Sequence, residues 1–281
     1  MTIDDPKPVV TAGFAFMRKK ITSKENALFR ETLRLTRRKY RDRTGRYLIE
    51  GEHLIREAID RGQEMETIFL AEGARWETDP QAPLAGHRVS ILDPGLFGQL
   101  SDTETSQGVL AVVRKPDVSV SRLLRMDRPE GNLVVLDRLQ DPGNIGTIIR
   151  TAAAAGFEAV LALPGTADLF SPKVVRAASG TLFRIPVILP EDRAQFLALV
   201  RRLGKRLAVT SVVRDRVYYE EDLSQGVALV IGNEGSGCGQ DLLENADMRV
   251  SIPMAAGVES LNASVAAGIL MYEAVRKKVL K

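Results

Sequence analysis

The chain has 281 residues, 44% of them hydrophobic and 27% charged, with a formal net charge of +3, which is the composition of a globular protein large enough for two domains. No apolar run reaches the roughly 18–20 residues of a membrane span, and the acids and prolines at the start do not match a secretory signal. The single cysteine, Cys238, excludes an internal disulfide, and the two histidines, His53 and His87, stand far apart, so we expect a cytoplasmic protein without a metal site.

Residues 1–19 are predicted to be an N-terminal extension, and a strongly basic segment, residues 18–46, follows. This segment has twelve Lys or Arg residues and three acids, a net charge of +9 that leaves −6 for the rest of the chain. Charge blocks of this kind are typical of solvated faces or flexible tails. Leucines recur among the cations, however, and predict a folded helix whose basic side attracts a polyanion. Tyr40 and Tyr47 are expected to pack in the core, with stacking on unpaired bases as the alternative.

Residues 20–115 alternate between strand and helix patterns, which predicts a small α/β domain. Helical spacing predicts a helix over 52–62, ending at Gly62. Short apolar runs predict four strands, at 47–51, 66–71, 88–92 and 108–113. The charged segment 116–130 has no clear period and is predicted to be a linker.

A second alternating run over residues 131–281 predicts another α/β unit. Continuous Val, Leu and Ile runs predict strands at 132–137, 158–163, 184–189, 206–211, 226–232 and 248–253. Helices are predicted at about 145–155, from Ser171-Pro172 onward, at 191–203 and at 260–277. Such strands are typical of a parallel sheet covered on both faces, in which ligands lie beyond the carboxyl ends of the strands.

The first loop at such a position belongs to the stretch LDRLQDPGNIGTIIRTAAAAG, residues 136–156. Asp141-Pro142-Gly143 predicts a turn, and Asn144 is expected to cap the helix that follows. Gly146 lowers helix stability, so we expect it to permit a close approach to the backbone. Arg150 is a cation among apolar neighbours, and we predict a functional role for it.

The second loop belongs to the stretch IGNEGSGCGQDLL, residues 231–243. Gly232 and Gly237 have the spacing of a Walker A loop, but Cys238 stands where that motif needs lysine, and the G-x-G-x-x-G pattern is absent. The carboxylate of Glu234 would repel a polyphosphate. The loop therefore favours a ligand that carries positive charge and no phosphate, with a simple Gly-rich turn as the alternative.

The third loop belongs to the stretch SIPMAAGVESLNASVAAG, residues 251–268. A strand ends at Ile252-Pro253-Met254, and Ser260-Leu261-Asn262 begins a helix that is apolar on every side. A helix of that kind is buried on every side, yet polar side chains stand where its free N–H groups point outward. Either this is a capped core helix, or its first turn faces a ligand.

Together the three loops resemble, in order and spacing, the three motifs of the SpoU/TrmH branch of the SPOUT RNA methyltransferases, which methylate ribose 2′-hydroxyls. The resemblance covers residues 131–281, and it includes SPKVVRAASGTLFRIPV at 171–187. The preceding part resembles, less tightly, the ribosomal-protein-like α/β substrate-binding domain of the family, through residues 23–26, 47–51 and 101–113.

The resemblance implies a SPOUT-type parallel sheet with a deep trefoil knot that binds S-adenosylmethionine, within a homodimer. Carried over by position, the cofactor-binding residues are Thr210, Gly232, Ile252, Met254 and Leu261. The catalytic residues carried over in the same way are Arg150, Asn144, Glu234, Ser260 and Asn262. The family assigns Arg150 as general base, but a guanidinium stays protonated, so orienting the hydroxyl and stabilising its developing charge is an equal alternative.

The leading hypothesis is methylation of a ribose 2′-hydroxyl in ribosomal RNA, with transfer RNA as the second candidate substrate. The two-domain layout favours ribosomal RNA, because tRNA-modifying members of the family often lack the small α/β domain. An antibiotic-resistance methyltransferase acting on large-subunit rRNA would share this layout. A non-catalytic RNA-binding or ribosome-assembly factor is the alternative from another class, against which the intact motif residues argue. RNA contacts are expected from Arg37, Arg38, Lys39, Arg41, Arg43, Lys173 and Arg176.

Overall fold

The computed structural model describes residues 19–126, 128–211 and 216–279, so the predicted N-terminal extension lies outside the described residues except for Lys19. The strands are β1 Lys19–Ile21, β2 Arg46–Glu50, β3 Met65–Ala71, β4 Val89–Leu92, β5 Val109–Arg114, β6 Leu133–Leu136, β7 Ala159–Ala162, β8 Val187–Ile188, β9 Arg206–Thr210, β10 Val227–Ile231 and β11 Met248–Val250. The α-helices are α1 Ala27–Arg34, α2 Arg38–Thr44, α3 Glu52–Asp60, α4 Arg75–Thr78, α5 Pro94–Leu100, α6 Val120–Met126, α7 Pro142–Ala154, α8 Pro172–Ala177, α9 Arg193–Arg202, α10 Gln240–Glu244 and α11 Ala263–Val279.

The first sheet has the strand order β1-β4-β3-β5-β2. β1, β4 and β3 run parallel, whereas β5 is antiparallel to both of its neighbours, β3 and β2. The four strands and the helix predicted in this part of the chain are present, and β1, α4 and α5 are additional elements. The first half of the chain therefore contains a mixed sheet with helices packed against it.

The basic segment forms two helices, so the prediction of one continuous helix was wrong. Asn26 caps α1 by accepting a hydrogen bond from the Phe29 N–H at 3.2 Å. The chain then turns to bury Leu35 in the core of the first sheet, and α2 begins three residues later. Burial of that leucine interrupts the helix within the basic run.

The second sheet is parallel throughout, with the strand order β11-β9-β10-β6-β7-β8. All six predicted strands are present, and most of their residues lie in the core, with Arg249 in the middle of β11 as an exposed exception. Helices α7, α8 and α11 pack on one face, and α6, α9 and α10 cover the other. The prediction of a parallel sheet covered on both faces is confirmed.

The apolar core continues from the first sheet into the second. The Tyr47 ring lies 5.1 Å from the Phe170 ring, and α8 packs against β2. Burial raises the pKa of the Tyr47 hydroxyl. The predicted core role of Tyr47 is confirmed, and the alternative of stacking on bases is wrong.

The predicted linker 116–130 contains α6, whose Leu123 is fully buried against the second sheet.

Ion pairs also join the two halves. The Arg41 guanidinium donates to Asp168 at 2.6 and 2.8 Å and to the Leu35 carbonyl at 2.8 Å, and only 4% of its side chain is exposed. The expectation that Arg41 contacts RNA was therefore wrong, because its charge is buried and paired. Arg184 pairs with Glu57 at 2.8 Å across the same junction.

We expect Arg41→Met to lower the free energy of unfolding by about 3–5 kcal/mol, because it leaves the Asp168 carboxylate buried without its partner. Arg43→Met is the matched control: Arg43 is exposed on the same helix and stacks over the Tyr40 ring at 4.8 Å, which is worth about 0.5–1 kcal/mol at such a site. Urea unfolding of both variants measures the difference. Equal losses would contradict a stabilising role for this buried pair.

Candidate active site at the carboxyl edge of the parallel sheet

The predicted site residues follow neighbouring strands of the second sheet. Because β6, β9, β10 and β11 are parallel, their carboxyl ends meet at one edge, and the loops after them lie side by side. The first loop leads into α7, and the loop after β11, residues 251–262, leads into α11, which packs against α7. The sheet topology therefore brings the three sequence motifs into one region.

The first loop contacts the second through Asn144. Its side-chain amide donates to the Glu234 carboxylate at 3.1 Å, and the Gln140 backbone N–H donates to the other oxygen of that carboxylate at 3.4 Å. The expectation that Asn144 caps α7 was wrong. Asp141 is the cap, accepting from the Asn144 N–H at 2.7 Å, which leaves the Asn144 side chain free to reach Glu234.

Gly146 permits a close approach, as expected, but its neighbour is a helix. A Cβ atom at this position would lie 2.4 Å from the Ala177 Cβ atom and 2.9 Å from the Ala177 carbonyl carbon. α7 and α8 are therefore packed backbone to backbone at this point. The glycine positions α7, and through it Asn144, relative to the sheet.

The second loop folds back on itself at Gly232. Asn233 and Gly237 exchange backbone hydrogen bonds of 3.1 and 3.0 Å, and a Cβ on Gly232 would lie 2.5 Å from the Cys238 backbone nitrogen. The Thr210 hydroxyl accepts from the Gly232 N–H at 3.4 Å and lies 3.4 Å from the Cys238 sulfur. Burial raises the pKa of the Cys238 thiol to about 11, so this cysteine is a neutral packing group at neutral pH.

The third loop ends in a capped helix. The Asn262 side-chain oxygen accepts from the Ser264 N–H at 2.9 Å and from the Val265 N–H at 3.3 Å. This confirms the capped-helix interpretation for Asn262, although the residue stays exposed, as does Ser260. The polar first turn of α11 is thus both a cap and an accessible surface.

The cofactor residues expected in the third loop lie along its course. Ile252 is half-buried and packs against the core, Met254 is half-buried, and Leu261 is exposed. Neither this loop nor residues 232–239 contains a lysine or arginine. The two loops therefore present backbone groups, apolar and neutral polar side chains, and the carboxylates of Glu234 and Glu259.

Arg150 lies on α7 about 9 Å along the helix axis from Asn144, on a different face. Its side chain is exposed, and it forms no hydrogen bond or ion pair with any residue in the ranges 19–126, 128–211 and 216–279. The structure therefore does not bring Arg150 into the Asn144–Glu234 contact. It leaves the guanidinium accessible to a molecule that approaches α7 from solvent.

The other cations expected to contact RNA lie on the surface, unlike Arg41. Arg38 is 3.5 Å from Asp42, and Arg176 is 3.0 Å from Asp102. The remaining exposed cations of this set are Arg37, Lys39, Arg43 and Lys173.

Sequence reasoning missed a charged cluster beneath the second loop. Asp137, directly after β6, is fully buried and accepts hydrogen bonds from Arg193 at 2.5 Å, from Arg138, and from the Gly239 N–H at 2.8 Å. The signal was present in the sequence, since an acid that directly follows a buried Leu-Val-Val-Leu strand needs a partner.

Within the described ranges, no helix is long and apolar enough to cross a membrane, and no three His, Cys, Asp or Glu side chains are grouped to hold a metal ion.

Two families match the chain by sequence. Residues 131–272 match the SpoU rRNA Methylase family, and residues 26–111 match the MRM3-like substrate binding domain. The first match contains all three loops described above, and the second contains most of the first sheet.

Individual relatives match over most of their length. The chain is 34% identical to the 23S rRNA (guanosine(2553)-2'-O)-methyltransferase RlmP of Bacillus subtilis, over 90% of this chain and 98% of that protein. It is 32% identical to the 23S rRNA (uridine(2479)-2'-O)-methyltransferase of Streptomyces viridochromogenes, over 93% of each.

Solved structures agree with these matches. The SpoU methyltransferase AviRb of Streptomyces viridochromogenes in complex with the cofactor AdoMet has a TM-score of 0.82 at 32% identity, covering 90% of this chain and 98% of that one. The AdoMet-bound rRNA methyltransferase of Sinorhizobium meliloti has a TM-score of 0.81 at 30% identity, and the match covers 92% of this chain and 97% of that one.

We expect Gly146→Ala to destabilise the protein by about 1–3 kcal/mol, because the added methyl group overlaps Ala177. The control is Gly98→Ala in the exposed part of α5, where nothing lies within 4 Å of the added atom; there alanine should stabilise by about 0.5–1 kcal/mol through its helix propensity. Thermal unfolding measures both effects. A Gly146→Ala variant as stable as the unchanged protein would show that α7 and α8 can separate freely.

Proposed function

The chain belongs to the SpoU rRNA methylase family, and from this premise we propose that it methylates a ribose 2′-hydroxyl of large-subunit ribosomal RNA at the edge described above. The methyl donor is S-adenosylmethionine, as in the solved AdoMet complexes of the family. The observation that carries the proposal is the contact between Asn144 and Glu234, which joins the first and second motifs at one edge. The two relatives named for 23S rRNA support the substrate class.

The residues at this edge fit the methyl donor. Ile252 and Leu261 offer apolar surface to a purine ring, and the backbone of the loops offers N–H and C=O groups. The donor carries a positive sulfonium and no phosphate, which suits loops without lysine or arginine and with the Glu234 carboxylate nearby. We assign cofactor binding to Gly232, Thr210, Met254, Ile252 and Leu261.

Arg150 is the residue that we propose to act on the ribose 2′-hydroxyl that receives the methyl group. A guanidinium keeps its proton at neutral pH, so it serves by orienting the hydroxyl or its neighbouring phosphate and by stabilising the negative charge that develops on oxygen. Asn144 and Glu234 position the motif-one helix and the substrate ribose. Ser260 and Asn262, exposed at the start of α11, supply polar contacts to the target nucleotide.

The domain arrangement supports an RNA substrate. We propose that residues 20–115 hold the RNA and that residues 131–281 carry the reaction, joined by 116–130. Exposed cations within α2 and α8 and directly before α2 supply phosphate contacts: Arg37, Arg38, Lys39, Arg43, Lys173 and Arg176. A ribosomal RNA substrate also supports a cytoplasmic location.

We further propose a trefoil knot and a homodimer for the second half. The knot is proposed because the match to the SpoU rRNA Methylase family covers residues 131–272, the part of the chain whose resemblance implies it. The homodimer is supported by an exposed apolar stripe at seven-residue spacing along α11, formed by Val265, Tyr272 and Val279. Pairing of this stripe with a second copy would cover it and would place a second chain beside the first turn of α11.

We expect Arg150→Ala to abolish methyl transfer while the affinity for S-adenosylmethionine stays within about threefold, since the role assigned to Arg150 concerns the hydroxyl. Arg202→Ala, at an exposed position on α9, is the control and should retain full activity. Transfer of a labelled methyl group to 23S rRNA measures the first effect, and calorimetry measures the second. Normal turnover in Arg150→Ala would refute the assignment, and absence of binding heat in the unchanged protein would favour a non-catalytic RNA-binding factor.

We expect Tyr272→Asp to convert a dimer into monomers, because a carboxylate in the centre of an apolar interface stays desolvated without a partner. Met126→Asp, at an exposed apolar position outside the stripe, should remain dimeric. Sedimentation equilibrium at micromolar concentration distinguishes the two states. A monomeric unchanged protein, or a dimeric Tyr272→Asp variant, would contradict the proposed interface.

A further inference from the structure

The Asp137 carboxylate is a hub of hydrogen bonds below the second loop. It is completely buried and accepts from the Arg193 Nη2 atom at 2.5 Å, from the Arg138 Nη2 and Nε atoms at 3.2 and 3.3 Å, and from the Gly239 backbone N–H at 2.8 Å. Four donors from three segments of the chain meet on one carboxylate. β6, α9 and the far end of the 232–239 loop are thereby tied together.

Arg138 holds the same loop from a second side. Its φ of +60° lies in the left-handed region, which is strained for a residue with a side chain. In this conformation its carbonyl accepts from the Asn233 side-chain amide at 2.8 Å, while its guanidinium donates to the Gly237 carbonyl at 3.1 Å. One residue therefore fixes both sides of the turn that Asn233 and Gly237 close.

Arg193, the first residue of α9, completes the arrangement. Its guanidinium bridges Asp137 and Asp241, and Asp241 lies in α10 immediately after the loop. A Cβ atom on Gly239 would lie 2.2 Å from the Arg193 Nη1 atom, so the guanidinium occupies the space that a side chain there would need. The two guanidiniums balance the charges of the two carboxylates, of which only Asp137 is fully buried.

We propose that Asp137, Arg138 and Arg193 form a clamp that fixes the 232–239 loop in the shape that binds the methyl donor. These three are positioning residues, because the contacts described above join them to the loop and to its end. None of them is among the residues that we propose to bind the methyl donor or to act on the substrate. A loop held in its binding shape before the ligand arrives loses less conformational entropy on binding, which raises affinity without altering the chemical step. The inference rests on the proposed function for its ligand but not for the rigidity of the loop.

Arg193→Met tests the clamp, with Arg201→Met as the matched control. Arg201 lies on the same helix and also contacts the region after the loop, donating to the Asn245 side chain at 2.8 Å, but it does not reach Asp137. Hydrogen–deuterium exchange of the protein without cofactor should be about tenfold faster at residues 232–239 in Arg193→Met and unchanged in Arg201→Met. Calorimetry should show an affinity for S-adenosylmethionine about tenfold weaker in Arg193→Met, with kcat at saturating cofactor within about twofold.

Unchanged exchange of the loop in a folded Arg193→Met variant, or equal effects in Arg201→Met, would overturn the clamp. If circular dichroism shows that Arg193→Met does not fold, Asp241→Asn replaces it, since Asp241 is 42% exposed. That variant should speed loop exchange about threefold, and unchanged exchange would again overturn the clamp. A protein that binds no S-adenosylmethionine would refute the proposed function alone, because the exchange measurement needs no cofactor.

Discussion

Parallel alignment of six strands is the constraint on which the rest of the molecule depends. Because every strand of the second sheet ends at the same edge, three loops that are separated by up to about a hundred residues in sequence become neighbours. The hydrogen bond from Asn144 to Glu234 exists only because β6 and β10 are adjacent. The buried Asp137 cluster uses the same adjacency to reach Gly239.

Polar groups at this edge either hydrogen-bond within the protein or remain exposed to solvent. Asp141 and Asn262 cap helices, and Asn233 satisfies the turn of the second loop. Arg150 and Ser260 remain exposed. The first group satisfies backbone N–H groups at the starts of α7 and α11 and in the turn of the second loop, whereas the second group is accessible to solvent.

The junction between the two sheets is packed as a domain core. Tyr47 and Phe170 share one apolar cluster, and the Arg41–Asp168 pair lies almost without solvent at its side. Burial of a charge pair between two units disfavours separation of either partner. The exposed cations of α2 are consequently held in a fixed position relative to the second sheet.

The sequence by itself determined most of the elements, the parallel sheet and the three loops that carry the motifs, because strand and helix periodicity and loop composition are local properties. It also determined that Gly146 permits a close approach, since glycine within a helix lowers stability without such a reason. Charge alone, however, assigned Arg41 to RNA, and capping propensity alone assigned Asn144 to the end of α7. Only the tertiary structure decided these cases. The partners involved, Asp168 and Glu234, are distant in sequence, and a side chain's role depends on which buried or exposed group meets it in space.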